Sequence, residues 1–372
     1  MTRAMSIVIA GGGTAGHVYP GIALAAALRD LRPDARISFV GTERGIETTA
    51  VPAAGFALDL IDVIPWARTL GARRYLAPAS LVRAVSQSSA ILKRHRADVV
   101  VGMGGYASIP VVLSARTKRI PSVLHEQNAV PGYANIVGAR VTRNIALAFA
   151  EARSAFPTSA RTRIVGNPIR AAIANLDRAA ARDEARSRLG LAHDGSTVVI
   201  FGGSLGAARL NEAAIALGDR WSDEKDKQGL LITGAQHEDE IAPRLTGRVA
   251  VAGFVERMED VYAAADLVVS RAGAATIAEL AASGAPSILV PYPYARRDHQ
   301  TANARALVKA GGAVVVSNAD ATPERLGRMI DSLLADGGRL AAMAEGAKSF
   351  GKPNAARTLA EWVLELGDSH GR

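Results

Sequence analysis

Short β-branched apolar runs alternate with longer stretches of helical periodicity along the whole chain, the pattern of βαβ units that build parallel sheets. In the first half these runs predict strands at Ser6–Ala10, Arg36–Val40, Asp98–Gly102, Ser122–Glu126 and Ile145–Ala148, with a last one near Arg163–Val165. The second half predicts Thr197–Phe201, Gly229–Ile232, Val249–Ala252, Asp266–Ser270, Ser287–Val290 and Ala313–Val316. Each half opens alike, with an apolar strand, a glycine loop and then a helix, at Ile7–Gly16 and Val198–Gly206. The expected fold class is α/β, with two doubly wound Rossmann-like domains. Gly166-Asn167-Pro168 breaks the chain before an Arg-rich helical stretch, Arg170–Leu189, because glycine and a pre-proline residue both disfavour a continuing helix. The expected domains are 1–166 and 167–353, joined by a linker that opens a cleft between them. A final helix at 354–366, with Ala355, Leu359, Trp362, Val363 and Leu366 at helical spacing, is placed to pack back onto the first domain.

Length agrees with two domains, since 372 residues exceed what one hydrophobic core organises. With 49% apolar and 21% charged residues, disorder is excluded. No cysteine is present, so disulfides, Cys-ligated zinc and thiol nucleophiles are excluded and a cytosolic setting is the simplest. The apolar run in Met1–Ala10 is too short for a signal peptide, and no uninterrupted stretch approaches the roughly 20 residues that span a bilayer. The expectation is a soluble or peripheral protein. The net charge of +9 is unevenly spread: residues 1–166 carry 20 Lys/Arg against 9 Asp/Glu, or +11, and residues 167–372 carry 24 against 26, or −2.

A strand that runs through glycines into a helix leaves backbone N–H groups unpaired at the positive end of the helix dipole, which suits a phosphate. Gly11-Gly12-Gly13-Thr14-Ala15-Gly16 matches G-x-G-x-x-G, and Glu43 stands after the second strand where a ribose-binding acid would sit, so an NAD(P)-dependent oxidoreductase is a real rival. Against it, His17, Tyr19 and Pro20 follow directly, where a dinucleotide site wants small or apolar residues. Two further loops, Gly202-Gly203-Ser204-Leu205-Gly206 and Gly102-Met103-Gly104-Gly105-Tyr106, repeat the arrangement, and one dinucleotide does not need all three.

Gly11–Pro20, His125-Glu126-Gln127-Asn128, Gly166–Arg170, Gly202-Gly203-Ser204, Ser270 to Glu279 and Asp298–Asn303 occur in one order and spacing. Together they closely resemble the MurG family, bacterial glycosyltransferases that make the lipid-linked disaccharide of peptidoglycan, and the resemblance covers nearly the whole chain. It implies the GT-B glycosyltransferase fold and transfer of N-acetylglucosamine from UDP-N-acetylglucosamine to the C4 hydroxyl of an undecaprenyl-diphosphate-linked muramyl-pentapeptide, with inversion. On the donor side it implies Val255 at uracil, Glu279 at the ribose, and His299 and Gln300 at the transferred sugar. The N–H groups of Ala275 and Thr276, with Ser204 and Arg170, are expected at the diphosphate, where fixed donors assist a leaving group whose charge grows. Leu205 departs from the Gln common in the family, which removes a side-chain contact there.

The attacking hydroxyl needs a base within hydrogen-bond reach. His17, at the start of a helix and titrating near neutrality, is the candidate, with Glu126 as an alternative. Thr14 and Asn128 are expected to orient substrate, and the loop with Ala15 and Gly16 to face the acceptor's diphosphate. No metal cofactor is required by the sequence: no Asp-x-Asp motif occurs, and Glu238-Asp239-Glu240 reads as a solvated helix start.

Between Ile64 and Ala97 lie seven basic residues, Arg68, Arg73, Arg74, Arg83, Lys93, Arg94 and Arg96, and no acid. Ile64, Trp66, Leu70 and Tyr75 are interleaved with them, the composition of a surface that dips into anionic headgroups, while Leu81, Val82 and Leu92 read as core. A peripheral position on the cytoplasmic face of the bacterial plasma membrane follows as an expectation, since an undecaprenyl acceptor stays in the bilayer. Nucleic acid ranks below membrane, because no nucleic-acid module is visible. Other cell-wall synthesis proteins are conceivable partners, and a non-catalytic nucleotide-binding membrane adaptor is the second rival.

Overall fold

A computed structural model describes the protein at residues 3–63, 77–203 and 206–370. It divides into two compact units, Met1–Arg170 with Pro353–Arg372, and Ala171–Lys352. The first unit runs β1 (Ser6–Ala10), α1 (Ala15–Leu31), β2 (Arg36–Gly41), α2 (Glu47–Ala53), β3 (Ala57–Leu60), α3 (Ala77–His95), β4 (Val99–Gly102), α4 (Ser108–Thr117), β5 (Ser122–Glu126), α5 (Tyr133–Gly138), β6 (Asn144–Leu147) and β7 (Arg161–Ile164). The second holds α6 (Ala171–Ala174), α7 (Arg178–Arg188), β8 (Ser196–Phe201), α8 (Ala208–Arg220), β9 (Lys227–Ile232), α9 (Glu238–Ile241), β10 (Val249–Ala252), α10 (Met258–Ala264), β11 (Leu267–Ser270), α11 (Ala274–Ser283), β12 (Ser287–Leu289), α12 (His299–Lys309), β13 (Ala313–Val315), α13 (Pro323–Leu334) and α14 (Gly337–Phe350). The chain then returns to the first unit as α15 (Ala355–His370).

All strand pairings among the described residues are parallel. The first sheet has the order β3-β2-β1-β4-β5-β6-β7 and the second β10-β9-β8-β11-β12-β13. Helices cover both faces, which is why the central strands are nearly continuous apolar runs, with polar residues confined to their ends. Ile7, Ile9, Val99 and Val101 point into one core with Leu24, Leu28 and Trp362, while Val8, Ala10, Val100 and Leu124 point into another with Leu92, Val111 and Ala115. In the second unit Val198, Ile200, Leu267 and Val269 pack with Leu210, Leu217 and Trp221.

The last helix, α15, buries Leu359, Trp362 and Val363 in the first unit's core. Burying such side chains contributes about 1.5–3 kcal/mol each, against about 0–1 kcal/mol for each surface ion pair, so packing fixes this helix and Arg32–Asp368 (2.9 Å) and Arg163–Glu365 (3.0 Å) only trim it.

Three details differ from the sequence expectation. Strand β3 was not expected; its four residues alternate weakly, and it is an edge strand whose Asp59 is held by Arg94 and His95. The Arg-rich stretch is two helices, because the Asp177 carboxylate accepts from the amides of Ala179 and Ala180 and so begins a new helix. Leu92 is core, but Leu81 is 38% exposed and Val82 71% exposed, since the face of α3 that carries them turns away from the sheet.

Candidate active site

In an open parallel sheet the ligand crevice lies at the carboxyl ends of the strands where the strand order reverses. In the first unit the reversal falls between β1 and β4, so the loops after them, Gly11–Thr14 and Met103–Ala107, flank it. Glycine is what lets these loops touch. A Cβ on Gly11 would lie 2.9 Å from that of Met103, and one on Gly105 would lie 2.5 Å from the carbonyl oxygen of Gly12. Gly104, at φ +91°, leaves space for His17: a Cβ there would sit 2.9 Å from the ring Cδ2 and 3.1 Å from Nε2.

Thr14 occupies the N-cap of α1 but gives the helix no side-chain cap, because its Oγ1 pairs with His17 Nδ1 at 2.9 Å. Two consequences follow. The amides of Ala15 and Gly16 have no acceptor among the described residues, leaving the positive end of α1 open to an anion. The hydroxyl also orients the imidazole, and with the proton on Nδ1 donated to Thr14 the lone pair lies on Nε2, the form a base needs.

The loop after β1 is held from below by Glu47, a residue the sequence reading passed over. Its carboxylate is fully buried and accepts from the Gly13 amide (2.9 Å), the Thr42 amide (3.0 Å) and the Thr42 hydroxyl (2.9 Å). A Cβ on Gly12 or Gly45 would run into that carboxylate, and one on Gly41 would come within 2.6 Å of Glu47 Cγ. The Gly13 N–H is therefore committed inside the protein and is not offered to an anion. Glu43, the acid of the dinucleotide reading, is exposed. The signal for Glu47 was the glycine spacing around it, Gly41 and Gly45, which has no turn motif of its own.

Strand β5 delivers the His125–Asn128 motif. Glu126 is 1% exposed, and its oxygens accept from the amides of Asn128 (2.9 Å) and Gly132 (2.9 Å) and from Asn135 Nδ2 (2.8 Å). Burial pushes its carboxyl above the usual range and these bonds pull it back. Such a carboxylate folds the 127–135 loop, and a base role at Glu126 has little geometric support. Asn128 is half-buried beside it, and Gln127 donates to the Met103 carbonyl (3.1 Å), tying this loop to the one after β4. His125 is wholly buried and donates from Nε2 to the Gly166 carbonyl at 2.9 Å, while Nδ1 has no partner among the described residues. A proton on Nδ1 would have no acceptor, and burial lowers the pKa to about 4. Arg170, half-buried, is the last residue of this part of the unit.

In the second unit the reversal falls between β8 and β11. The loops after β8 and β11 flank it, with Val255 after β10 and His299 and Gln300 after β12 at the same carboxyl ends. Ser204 and Leu205 lie outside the described residues. Gly273 caps α11 without a side chain, so the amides of Ala275 and Thr276 point out of the first turn with no acceptor among the described residues. Glu279 stands one turn further on, half-buried, and its Oε2 accepts from the Tyr262 hydroxyl at 2.8 Å. The Gln300 carbonyl oxygen accepts from the amides of Ala272 (3.2 Å) and Tyr292 (2.9 Å), which fixes its orientation and leaves Nε2 as the outward donor. His299 Nδ1 bonds to the Arg296 carbonyl at 2.8 Å, after a turn in which Arg297 and Asp298 both hold left-handed φ of +55° and +53°. Strain of that kind on non-glycine residues is held where surrounding structure demands it. Arg271 donates to Val290 O (3.0 Å) and Asn318 Oδ1 (2.8 Å), joining the loops after β11, β12 and β13.

The structure thus gathers Thr14, Ala15, Gly16, His17, Glu126 and Asn128 at one end of the first sheet, and Val255, Ala275, Thr276, Glu279, His299 and Gln300 at one end of the second. Ile64, Trp66, Arg68, Leu70, Arg73, Arg74 and Tyr75 fall outside the described residues. Glu238-Asp239-Glu240 does open a short helix, α9, and no group of three or more His, Asp or Glu among the described residues is placed to hold a metal ion.

The N-terminal domain of glycosyltransferase family 28 matches residues 7–147, and its C-terminal domain matches residues 197–359. The chain is 42% identical over 369 residues to a Mycolicibacterium vanbaalenii protein named UDP-N-acetylglucosamine–N-acetylmuramyl-(pentapeptide) pyrophosphoryl-undecaprenol N-acetylglucosamine transferase, covering 97% of this chain and 90% of that one. A protein of the same name from Paenarthrobacter aurescens is 44% identical over 367 residues, covering 98% and 97%. Among solved structures, Acinetobacter baumannii MurG superposes with a TM-score of 0.77 at 30% identity, covering 97% of this chain and 99% of that one.

Proposed function

This chain belongs to the MurG family within glycosyltransferase family 28, and from that premise we propose that it moves N-acetylglucosamine from UDP-N-acetylglucosamine to the C4 hydroxyl of undecaprenyl-diphosphate-linked muramyl-pentapeptide. The observation that carries the proposal is identity of 42–44% over at least 97% of the chain to proteins of that name, a span that takes in both units.

The donor belongs to the second unit. Glu279 takes the ribose hydroxyls, the backbone at Val255 takes uracil, and the open amides of Ala275 and Thr276, with Ser204, take the diphosphate. Charge grows on that diphosphate as the C1–O bond breaks, and preorganised amides at a helix start stabilise it without reorganising. Gln300 Nε2 and His299 meet the sugar. The acceptor belongs to the first unit, with its own diphosphate at the amides of Ala15 and Gly16. As the C4 oxygen bonds to C1, its proton passes to His17 Nε2, UDP leaves with the bonding electron pair, and the anomeric centre inverts. Thr14 orients the ring, and with the Nδ1 proton given to its hydroxyl the Nε2 lone pair is the base.

Association with the cytoplasmic membrane surface is part of the proposal. No described helix is long and apolar enough to cross a membrane. Asp62 pairs with Arg83 at 2.8 Å and Asp59 with Arg94, so part of the basic stretch is neutralised within the fold, while Val82 remains exposed. Co-sedimentation with vesicles tests this: stronger binding to anionic than to neutral lipid is expected, and equal binding would remove the electrostatic part. The transfer itself is tested by UDP release from UDP-N-acetylglucosamine with and without the lipid-linked acceptor. Release that depends on the acceptor supports it, and release indifferent to the acceptor defeats it.

A further inference from the structure

Behind Glu279 stands a buried tyrosine that sequence reasoning did not single out. Tyr262, on α10, is fully buried, yet its hydroxyl donates to Glu279 Oε2 at 2.8 Å. The ring lies edge-on to Phe201, with centroids 6.4 Å apart and planes at 69°. Phe201 is the last residue of β8, directly before the glycine loop of this unit. The main chain of Tyr262 is anchored as well. Arg178 Nε donates to its carbonyl at 2.9 Å, and Nη1 of the same guanidinium donates at 2.7 Å to Gly284, the left-handed residue that ends the helix carrying Glu279. One arginine therefore ties α10 to the end of α11, and one phenol ties α10 to the carboxylate.

A free glutamate samples several staggered rotamers and a broad terminal torsion. A carboxylate that must meet two ribose hydroxyls at once has to arrive in a single orientation, and ordering it at the moment of binding costs affinity. An ionised carboxylate has about four acceptor positions, and the phenol takes one of them on Oε2. We infer that Tyr262 is a positioning residue for the donor ribose: it pre-sets the Glu279 carboxylate, and so governs how strongly the protein distinguishes a nucleotide that carries ribose hydroxyls from one that lacks them. The inference rests on the assignment of Glu279 to the ribose.

Calorimetric titration of UDP and of 2′,3′-dideoxyuridine diphosphate into the wild type, Tyr262→Phe, Glu279→Ala and the double variant tests both together. Phenylalanine keeps the buried ring and its edge contact with Phe201, and the ratio of two dissociation constants is insensitive to the fraction of folded protein. Ordering one rotamer-rich side chain at the moment of binding corresponds to roughly a 2- to 12-fold change in affinity. Tyr262→Phe is expected to weaken UDP by that factor and the dideoxy analogue less than about twofold, with the double variant no worse than Glu279→Ala. Equal weakening of both ligands, or of neither, would overturn the role of Tyr262. If Glu279→Ala leaves the discrimination intact, the ribose assignment itself fails. If Glu279→Ala abolishes it and Tyr262→Phe does not, only the present inference falls.

Discussion

Replacing His125 with glutamine should change how the stability of the protein depends on acid. The imidazole is wholly buried, its Nε2 proton is given to the Gly166 carbonyl, and its pKa is lowered from 6.5 to about 4. In the unfolded chain the same group titrates near 6.5. As pH falls through this window the unfolded state takes up the proton first, so this group lowers native stability progressively between pH 6.5 and about 4. A difference of that size corresponds to about 3.4 kcal/mol over the whole window, of which about 2 kcal/mol falls between pH 7.5 and 5. Glu126 acts in the opposite sense: burial raises its pKa, so the folded chain binds that proton first and gains stability as pH falls. Wild type and variant share Glu126, and the comparison between them cancels it. Urea unfolding followed by circular dichroism at pH 7.5, 6 and 5 measures the effect. At pH 7.5 the variant should be less stable by about 0.5–1.5 kcal/mol, the worth of the lost bond to Gly166, and by pH 5 the gap should close or reverse. A gap that stays constant across the range would refute a buried neutral imidazole at this position.

Glu47→Ala strands three donors beneath the glycine loop and should cost about 2–4 kcal/mol in denaturant unfolding, while the affinity for UDP, proposed to bind the other unit, should stay within twofold. Asp266 accepts from Arg182, from the fully buried Arg186 and from the Thr197 amide, so Asp266→Ala leaves a buried guanidinium held by backbone carbonyls but without its carboxylate; a loss of about 3–5 kcal/mol is expected, visible as a lowered melting temperature. His17→Ala should lower kcat by roughly 100- to 10,000-fold with little change in the KM for UDP-N-acetylglucosamine, and an equal loss in both would remove the base assignment.

Both halves of the architecture were legible because strands buried on two faces are written as nearly continuous apolar runs, and Ser6–Ala10, Val99–Gly102 and Leu267–Ser270 stand where those runs lie. Ala57–Leu60 escaped because an edge strand with one acid and partial exposure carries neither alternation nor a continuous run. The glycine loops were visible as spacing, and their placement at the strand-order reversals gives that spacing its chemistry. What spacing cannot display is which amides are already committed: the Gly13 N–H belongs to Glu47, and the Glu126 carboxylate is occupied by its own loop. Nor does sequence display contacts through the core. Tyr262 and Glu279 are separated by a strand and a turn, and only the fold brings phenol to carboxylate.

The structure of the product tests the central claim most directly. With UDP-N-acetylglucosamine, whose sugar is α-linked to the diphosphate, and a lipid-linked muramyl-pentapeptide, direct attack by the C4 hydroxyl must invert the anomeric centre. Proton NMR of the disaccharide released from the lipid by mild acid should show a single β-(1→4) linkage. An α linkage, a bond to another hydroxyl, or hydrolysis of the donor to free sugar with no disaccharide formed would contradict it.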